Sequence, residues 1–408
     1  MSTAAELGFS EDRLKRIDRF LAERYVEAGR LPCASLVVAR RGQVVHRSVL
    51  GARDVERGLP CQEDTVFRIY SMTKPVTSVA LMMLVEEGLV ALDEPVAKYI
   101  PEWEGLGVFQ AGIAPAFMTR APARPMQIVD LLRHTSGLTY GFQNRSNVDA
   151  AYRKAGLGDM HSQMDLDGFI AGLAKVPLEF SPGEAWNYSV STDVLGYLVG
   201  RISGVPFPEF LKTRIFQPLG MTDTGFSVRE DQRERFAACY NATPDERLKL
   251  QDDPATSPYL AEPTFYSGGG GLVSTTDDYL RFCRMLLNHG ELDGQRLLAP
   301  KTLKLMTANH LPGGQDLTQL SRSLFSESTN AGVGFGLGFA TVFDAPQTLI
   351  PCSPGEFYWG GMASTAFWVD PLEEVTAVFM TQLIPSARYP IRRELRTLVY
   401  SALMQSNA

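Results

Sequence analysis

Tyr70-Ser71-Met72-Thr73-Lys74-Pro75 leads into Val76-Thr77-Ser78-Val79-Ala80-Leu81-Met82-Met83-Leu84-Val85-Glu86-Glu87-Gly88, a stretch apolar almost all round. A helix without a polar face belongs inside a large protein, so the pattern predicts a buried helix over Pro75 to Glu87, stopped by Gly88. A serine at the entry of such a helix faces unpaired backbone N–H groups and the positive end of the dipole, which favour a developing oxyanion. Lys74, three residues on, falls one turn away on the same face. A buried amine favours its neutral form and can take a hydroxyl proton. With 26 serines and 9 lysines among 408 residues, chance alone places ~0.6 pairs at this spacing, so the spacing by itself also describes a capping serine and a solvated lysine. Context brings the two readings level without choosing between them: Lys74 enters a helix with no polar side, where a solvated lysine has little room.

Upstream, Glu11 to Ala28 repeats apolar residues (Leu14, Ile17, Phe20, Leu21) at helical spacing. Cys33 to Arg40 and Gln43 to Leu50 then read as two strands joined at Arg41-Gly42, a β-hairpin. Downstream, the chain is richer in helices and Pro/Gly loops from about Leu92 to Thr264, with helices expected over Met126 to Arg133, Leu166 to Leu173, Thr192 to Ile202 and Phe207 to Ile215. Strand patterns return at Gly336 to Val342, Ala363 to Asp370 and Glu374 to Gln382, the last two separated by Pro371-Leu372-Glu373, before a helix from Ile391 to Met404. Strands at both ends with helices between predict an α+β fold. Its antiparallel sheet domain is built from residues 1–92 and 265–408, with a mainly helical insertion over 93–264.

The composition, 45% hydrophobic and 21% charged, is that of a globular protein. A net charge of −7 offers no footprint for a nucleic-acid backbone or an anionic membrane. Val76 to Val85 is far short of the ~20 residues that span a bilayer, and no basic segment followed by an apolar one opens the chain. A cytoplasmic location is expected, with no membrane partner. Five widely spaced cysteines without C-x-x-C and five scattered histidines suggest neither a disulfide framework nor a metal site, and no cofactor is expected. His134 and His310 read as structural hydrogen-bonders in loops. The run Gly268 to Gly271 and the alternation Gly332, Gly334, Gly336, Gly338 fit no nucleotide-binding motif and read as backbone flexibility around a cleft. No serine has glycine at both −2 and +2, so the G-x-S-x-G elbow is absent.

The run from Tyr70 to Pro75, followed by Glu86-Glu87-Gly88-Leu89-Val90-Ala91-Leu92-Asp93-Glu94-Pro95-Val96, resembles the start of the serine β-lactamase, penicillin-binding protein and class-C-like esterase superfamily. Leu131-Leu132-Arg133-His134-Thr135-Ser136-Gly137-Leu138, Ser181-Pro182-Gly183-Glu184 through Tyr188-Ser189, Phe216 to Met221 and Ser267 to Leu272 are similar to later landmarks, in order. The resemblance implies a β-lactamase/transpeptidase-like fold with the active site between its two parts. It also implies Ser71 as nucleophile and Lys74 and Tyr188 as the proton-transfer pair. A phenol becomes a useful base only beside a cation.

The superfamily's third block, usually Lys-Thr-Gly, is replaced by Trp359-Gly360-Gly361-Met362. By resemblance, the Met362 and Ser71 amides would form the oxyanion hole, and Trp359, Gly360, Gly361 and Val190 would contact substrate. Trp359 supplies no charge, and Val190 replaces the asparagine of Tyr-x-Asn. Losing a charge-assisted contact costs ~1.5–3 kcal/mol, which disfavours a carboxylate-bearing lactam and leaves an uncharged ester acceptable. Trp-Gly-Gly with Tyr-Ser-Val is similar to the family VIII carboxylesterases, implying a serine carboxylesterase. The Phe-, Tyr- and Trp-rich blocks suggest an apolar, confined cleft and so short-chain acyl esters, and a monomer or homodimer is expected. A cephalosporin-type β-lactamase or an acyltransferase on the same site is the alternative. A non-catalytic binding protein on this fold would be expected to lack Ser71 or Lys74.

Overall fold

A computed structural model describes residues 3–322 and 331–407. Its first helix, α1 (Glu11–Leu21), is capped by the Ser10 side chain and continues as a π turn to Val26. Next come β1 (Cys33–Arg40), β2 (Gln43–Asp54) and β3 (Leu59–Pro60). The buried helix α2 (Thr73–Glu86) follows, and later α3 (Ser191–Ser203) and α4 (Thr276–Leu287). The C-terminal part supplies β4 (Val333–Phe335), β5 (Ala340–Val342), β6 (Phe357–Gly360), β7 (Ala366–Asp370), β8 (Val375–Met380) and α5 (Ile391–Ala402).

These strands form one antiparallel sheet in the order β4-β5-β6-β7-β8-β1-β2-β3. The two chain ends meet at the β1–β8 pair, where Leu36 faces Phe379 and Val38 faces Ala377. Strand β1 is buried on both faces, so it reads as a continuous apolar run rather than an alternation. Leu36 and Val38 pack with Leu14, Ile17, Leu395 and Val399 of the terminal helices; Val37 and Ala39 join the core shared with α2 and α4. The sheet thus lies between a layer of terminal helices and a layer built on α2 and α4.

Several boundaries differ from the sequence reading for physical reasons. The stretch expected as one strand over Gly336 to Val342 is the turn and second arm of the β4–β5 hairpin, with Gly338 at φ +98° in the reversal. The strand expected to start at Ala363 starts at Ala366, because Ser364 takes φ +69° in a turn that returns the chain from β6. Strand β6 itself, which carries Trp359, was not expected. The stretch between α2 and α4 contains strands as well as helices: Val108–Ile113 pairs with Ala116–Arg120, and Cys239–Ala242 pairs with Leu383–Ile384 near the C-terminus. Among the described residues no helix is long and apolar enough to cross a membrane.

Leu36 is fully buried between the sheet and the terminal helices. Leu36→Ala removes this packing and leaves a cavity, so it should cost about 2–5 kcal/mol of stability, read as a lower denaturation midpoint.

Candidate active site

Ser71 sits in a single 3-10 turn, Tyr70–Met72, that runs straight into α2. Tyr70 holds φ +42°, a left-handed conformation uncommon for a bulky residue and costing on the order of 1–3 kcal/mol. The surroundings impose it: Ile69 N–H donates to the Leu272 carbonyl at 3.1 Å, the Tyr279 hydroxyl donates to the Met72 carbonyl at 2.8 Å, and the Tyr70 side chain is buried. Among the described residues the Ser71 N–H has no acceptor, as expected for the first turn of a helix.

Lys74 is 2% exposed, and its Nζ donates to Ser71 Oγ at 3.2 Å and to the Gly269 carbonyl at 2.7 Å. The same Nζ lies 4.4 Å from the centre of the Tyr188 ring and 5.3 Å from that of Tyr140. Aromatic faces attract a desolvated cation, so these rings and the carbonyl together replace water around it. The structure therefore brings together Ser71, Lys74 and Tyr188.

The carbonyl of Gly269 reaches the lysine because the glycine run is packed on every side. A Cβ on Gly268 would stand 2.6 Å from the Thr192 carbonyl, and one on Gly269 would stand 2.7 Å from Asp193 Oδ2 and 2.8 Å from the Tyr140 hydroxyl. Asp193, fully buried on the first turn of α3, accepts from Ser267 Oγ at 2.5 Å and from Gly269 N–H at 2.9 Å. Burial raises its carboxyl pKa, and Lys74 and these donors pull the other way. Burial and Asp193 together push the Tyr140 hydroxyl well above its usual value. Flexibility was the wrong reading of Gly268 to Gly271: the glycines permit close approach, and none has a positive φ. In the other run, Gly334 and Gly336 are likewise closely packed, against Asn309 and the Met306 carbonyl.

His134 is buried under Tyr188, ring centres 5.1 Å apart, and its Nδ1 shares a hydrogen bond with Ser189 Oγ at 3.2 Å. Burial first, and then the positive Lys74, hold its pKa well below the ordinary value, so the imidazole is neutral. His310 Nε2 meets the Leu305 carbonyl at 2.7 Å. Both histidines are structural hydrogen-bonders.

A cavity of about 720 Å³ opens in front of Ser71, walled by Tyr140, Trp186, Tyr188, Trp359, Gly361 and Met362 among others. Trp359 packs against Tyr188 at 5.5 Å and edge-on to Phe335 at 5.3 Å, which fixes it as an apolar wall. Met362 is 40% exposed just beyond β6, and among the described residues its N–H has no acceptor. Val190 departs from expectation: it is fully buried behind this wall, its N–H donates to the Thr139 carbonyl at 3.2 Å, and a Cβ on Gly158 would meet it at 2.7 Å. It contacts core, and is replaced in the site by Tyr140 and Asp193, which the sequence reading missed. An acidic residue set among Val190, Val194 and Leu195 was the one available signal for Asp193. Among the described residues no three His, Cys, Asp or Glu side chains are grouped to hold a metal ion.

A family model described as Beta-lactamase matches residues 19–401. An uncharacterized protein of Mycobacterium tuberculosis is 38% identical over 362 residues, 88% of each chain. Esterase EstB of Burkholderia gladioli is 32% identical over 403 residues, covering 94% of this chain and 93% of its own. The solved structure of EstCE1, titled a hydrolase with promiscuous acyltransferase activity, superposes with a TM-score of 0.77 at 26% identity, covering 95% of this chain and 98% of its own.

The neutral state of His134 has a pH consequence. The unfolded imidazole takes a proton below about 6.5 and the folded one does not, so the unfolded state binds more protons there and stability falls as pH drops through that window. Asn tolerates the +58° φ of this position and can keep a hydrogen bond to Ser189. Thermal melts from pH 7.5 to 5 should show His134→Asn losing less stability than wild type below pH 6.5, by about 1.4 kcal/mol per pH unit.

Proposed function

This chain belongs to the beta-lactamase family, and we propose that its site is that of a serine carboxylesterase of the family VIII type. The observation that carries the reading is the hydrogen bond from the buried Lys74 to Ser71, at the mouth of a cavity with an aromatic wall. The curated relative named an esterase and the solved hydrolase support it. The site lies between a sheet domain of residues 1–92 with 265–408 and a mainly helical part of residues 93–264.

In the mechanism, the Lys74–Tyr188 pair takes the Ser71 hydroxyl proton as Oγ attacks the ester carbonyl. The Ser71 and Met362 amides receive the oxyanion. The proton passes to the leaving alcohol, and an acyl group remains on Ser71. Water, activated by the same pair, attacks the acyl-enzyme and releases the acid. Trp359 offers no cation for a lactam carboxylate, so an uncharged short-chain ester is the favoured substrate. An alcohol entering in place of water would give acyl transfer, a second reading favoured by the activity named for EstCE1.

Turnover of p-nitrophenyl esters of increasing acyl length, beside nitrocefin, tests the assignment. Wild type should cleave the short esters well and nitrocefin poorly, and Ser71→Ala should lose about 10³-fold or more of the esterase rate. Undiminished cleavage by Ser71→Ala would remove the nucleophile from the account, and efficient nitrocefin turnover would remove the preference for esters. Adding a primary alcohol should divert part of the acyl group to a transfer product.

A further inference from the structure

The two glycines of Trp359-Gly360-Gly361-Met362 are each pressed from a different side. A Cβ on Gly360 would lie 2.5 Å from Cζ of Arg392, in the first turn of α5. A Cβ on Gly361 would lie 2.4 Å from the carbonyl oxygen of Ile69, two residues before Ser71, and 2.3 Å from Thr365 Oγ1. The Gly-Gly pair therefore lets a guanidinium lie on the backbone on one side while the segment leading to the nucleophile lies against it on the other.

Arg392 does more than pack. Its Nη2 donates to the Gly361 carbonyl at 2.7 Å and to the Thr365 carbonyl at 2.9 Å. Ser364 N–H donates to the same Gly361 carbonyl at 3.1 Å, and Gly361 N–H donates to the Thr365 carbonyl at 2.9 Å. Two donors thus hold the Gly361 oxygen, and one of them bridges the ends of the turn. The Gly361–Met362 peptide is trans, so its C=O and N–H point in opposite directions. Anchoring the oxygen toward Arg392 turns the Met362 N–H away from α5.

We infer that Arg392 is a positioning residue that orients the Met362 N–H as an oxyanion donor. This rests on the reading of Ser71 and Met362 as an acyl-transfer site. Oxyanion donors act through preorganisation: they must be aimed before charge develops, because rotating a peptide plane during the reaction forfeits the gain. Removing one such donor outright costs about 10²–10³ in kcat, so loosening it should cost part of that.

The test compares wild type, Arg392→Lys and Arg392→Gln on p-nitrophenyl butyrate, with inhibition by a trifluoromethyl ketone whose serine adduct carries an oxyanion. A purely structural role would change stability and leave these ratios alone. The expected result is a fall in kcat of about 10–100-fold with KM within about threefold, and a weakening of the ketone that tracks the loss in kcat/KM. Lys should retain more than Gln, though less than Arg, because it lacks the flat guanidinium that lies on Gly360. If the Arg392 variants do not fold, Gly360→Ala, whose Cβ would meet the guanidinium at 2.5 Å and, at 2.7 Å, the Thr365 carbonyl that Arg392 also holds, must reproduce the kcat loss and the weakened ketone. Unchanged kcat, or loss of kcat with ketone affinity intact, overturns the inference. Ester cleavage that survives Ser71→Ala overturns the site reading beneath it, whereas Ser71-dependent cleavage that tolerates loss of Arg392 overturns the inference alone.

Discussion

A lysine removed from water must be given other partners, and the site is organised around that requirement. A buried ammonium is costly unless hydrogen bonds and opposing charge replace its hydration. Lys74 obtains the Gly269 carbonyl, the Ser71 hydroxyl and the faces of two tyrosines. Delivering that carbonyl requires a glycine run threaded between α2 and α3, and holding the run requires Asp193, which takes the Gly269 N–H and the Ser267 hydroxyl. The serine, lysine, glycines and aspartate therefore form one interdependent unit that fixes the relation of α2 to α3.

The sheet brings in the second half of the site. Because β1 pairs with β8, the N-terminal hairpin and the C-terminal strands form one surface, and β6 carries Trp359 toward Ser71. The close approach of Gly361 to the Ile69 carbonyl brings the β6 backbone against the chain just ahead of Ser71. The proposed acyl chemistry needs this juxtaposition, since a nucleophile and its oxyanion donors must meet the same carbonyl from different elements. The terminal helix α5 covers the outer face of the sheet and also reaches the turn after β6 through Arg392.

Much of this was legible in the sequence where periodicity is unambiguous. Strand β1 has the bounds expected of it, α2 is the all-apolar helix that its composition implies, and the Ser71–Lys74 spacing survives as a hydrogen bond. Reading failed where one backbone angle decides the course. Ser364 and Gly338 turn the chain in the left-handed region, and no pattern of apolar residues registers that. It also failed at Val190, whose place two residues after Tyr188 says nothing of its side chain, which enters the core at the start of α3. Tyr140 and Asp193 lie 53 residues apart and acquire meaning only once both meet Gly269. The glycine runs signalled close packing as well as freedom, and the sequence does not distinguish the two.

The central claim, an activated serine supported by a buried lysine, is tested most directly by covalent labelling. Wild type and Lys74→Ala would be treated with a p-nitrophenyl phosphonate, with p-nitrophenol release followed and the adduct located by peptide mass mapping. The account predicts one phosphonyl group per chain, on Ser71, with labelling slowed about 10²-fold or more in Lys74→Ala. A label on any other residue, or equal labelling rates in the two proteins, would contradict it.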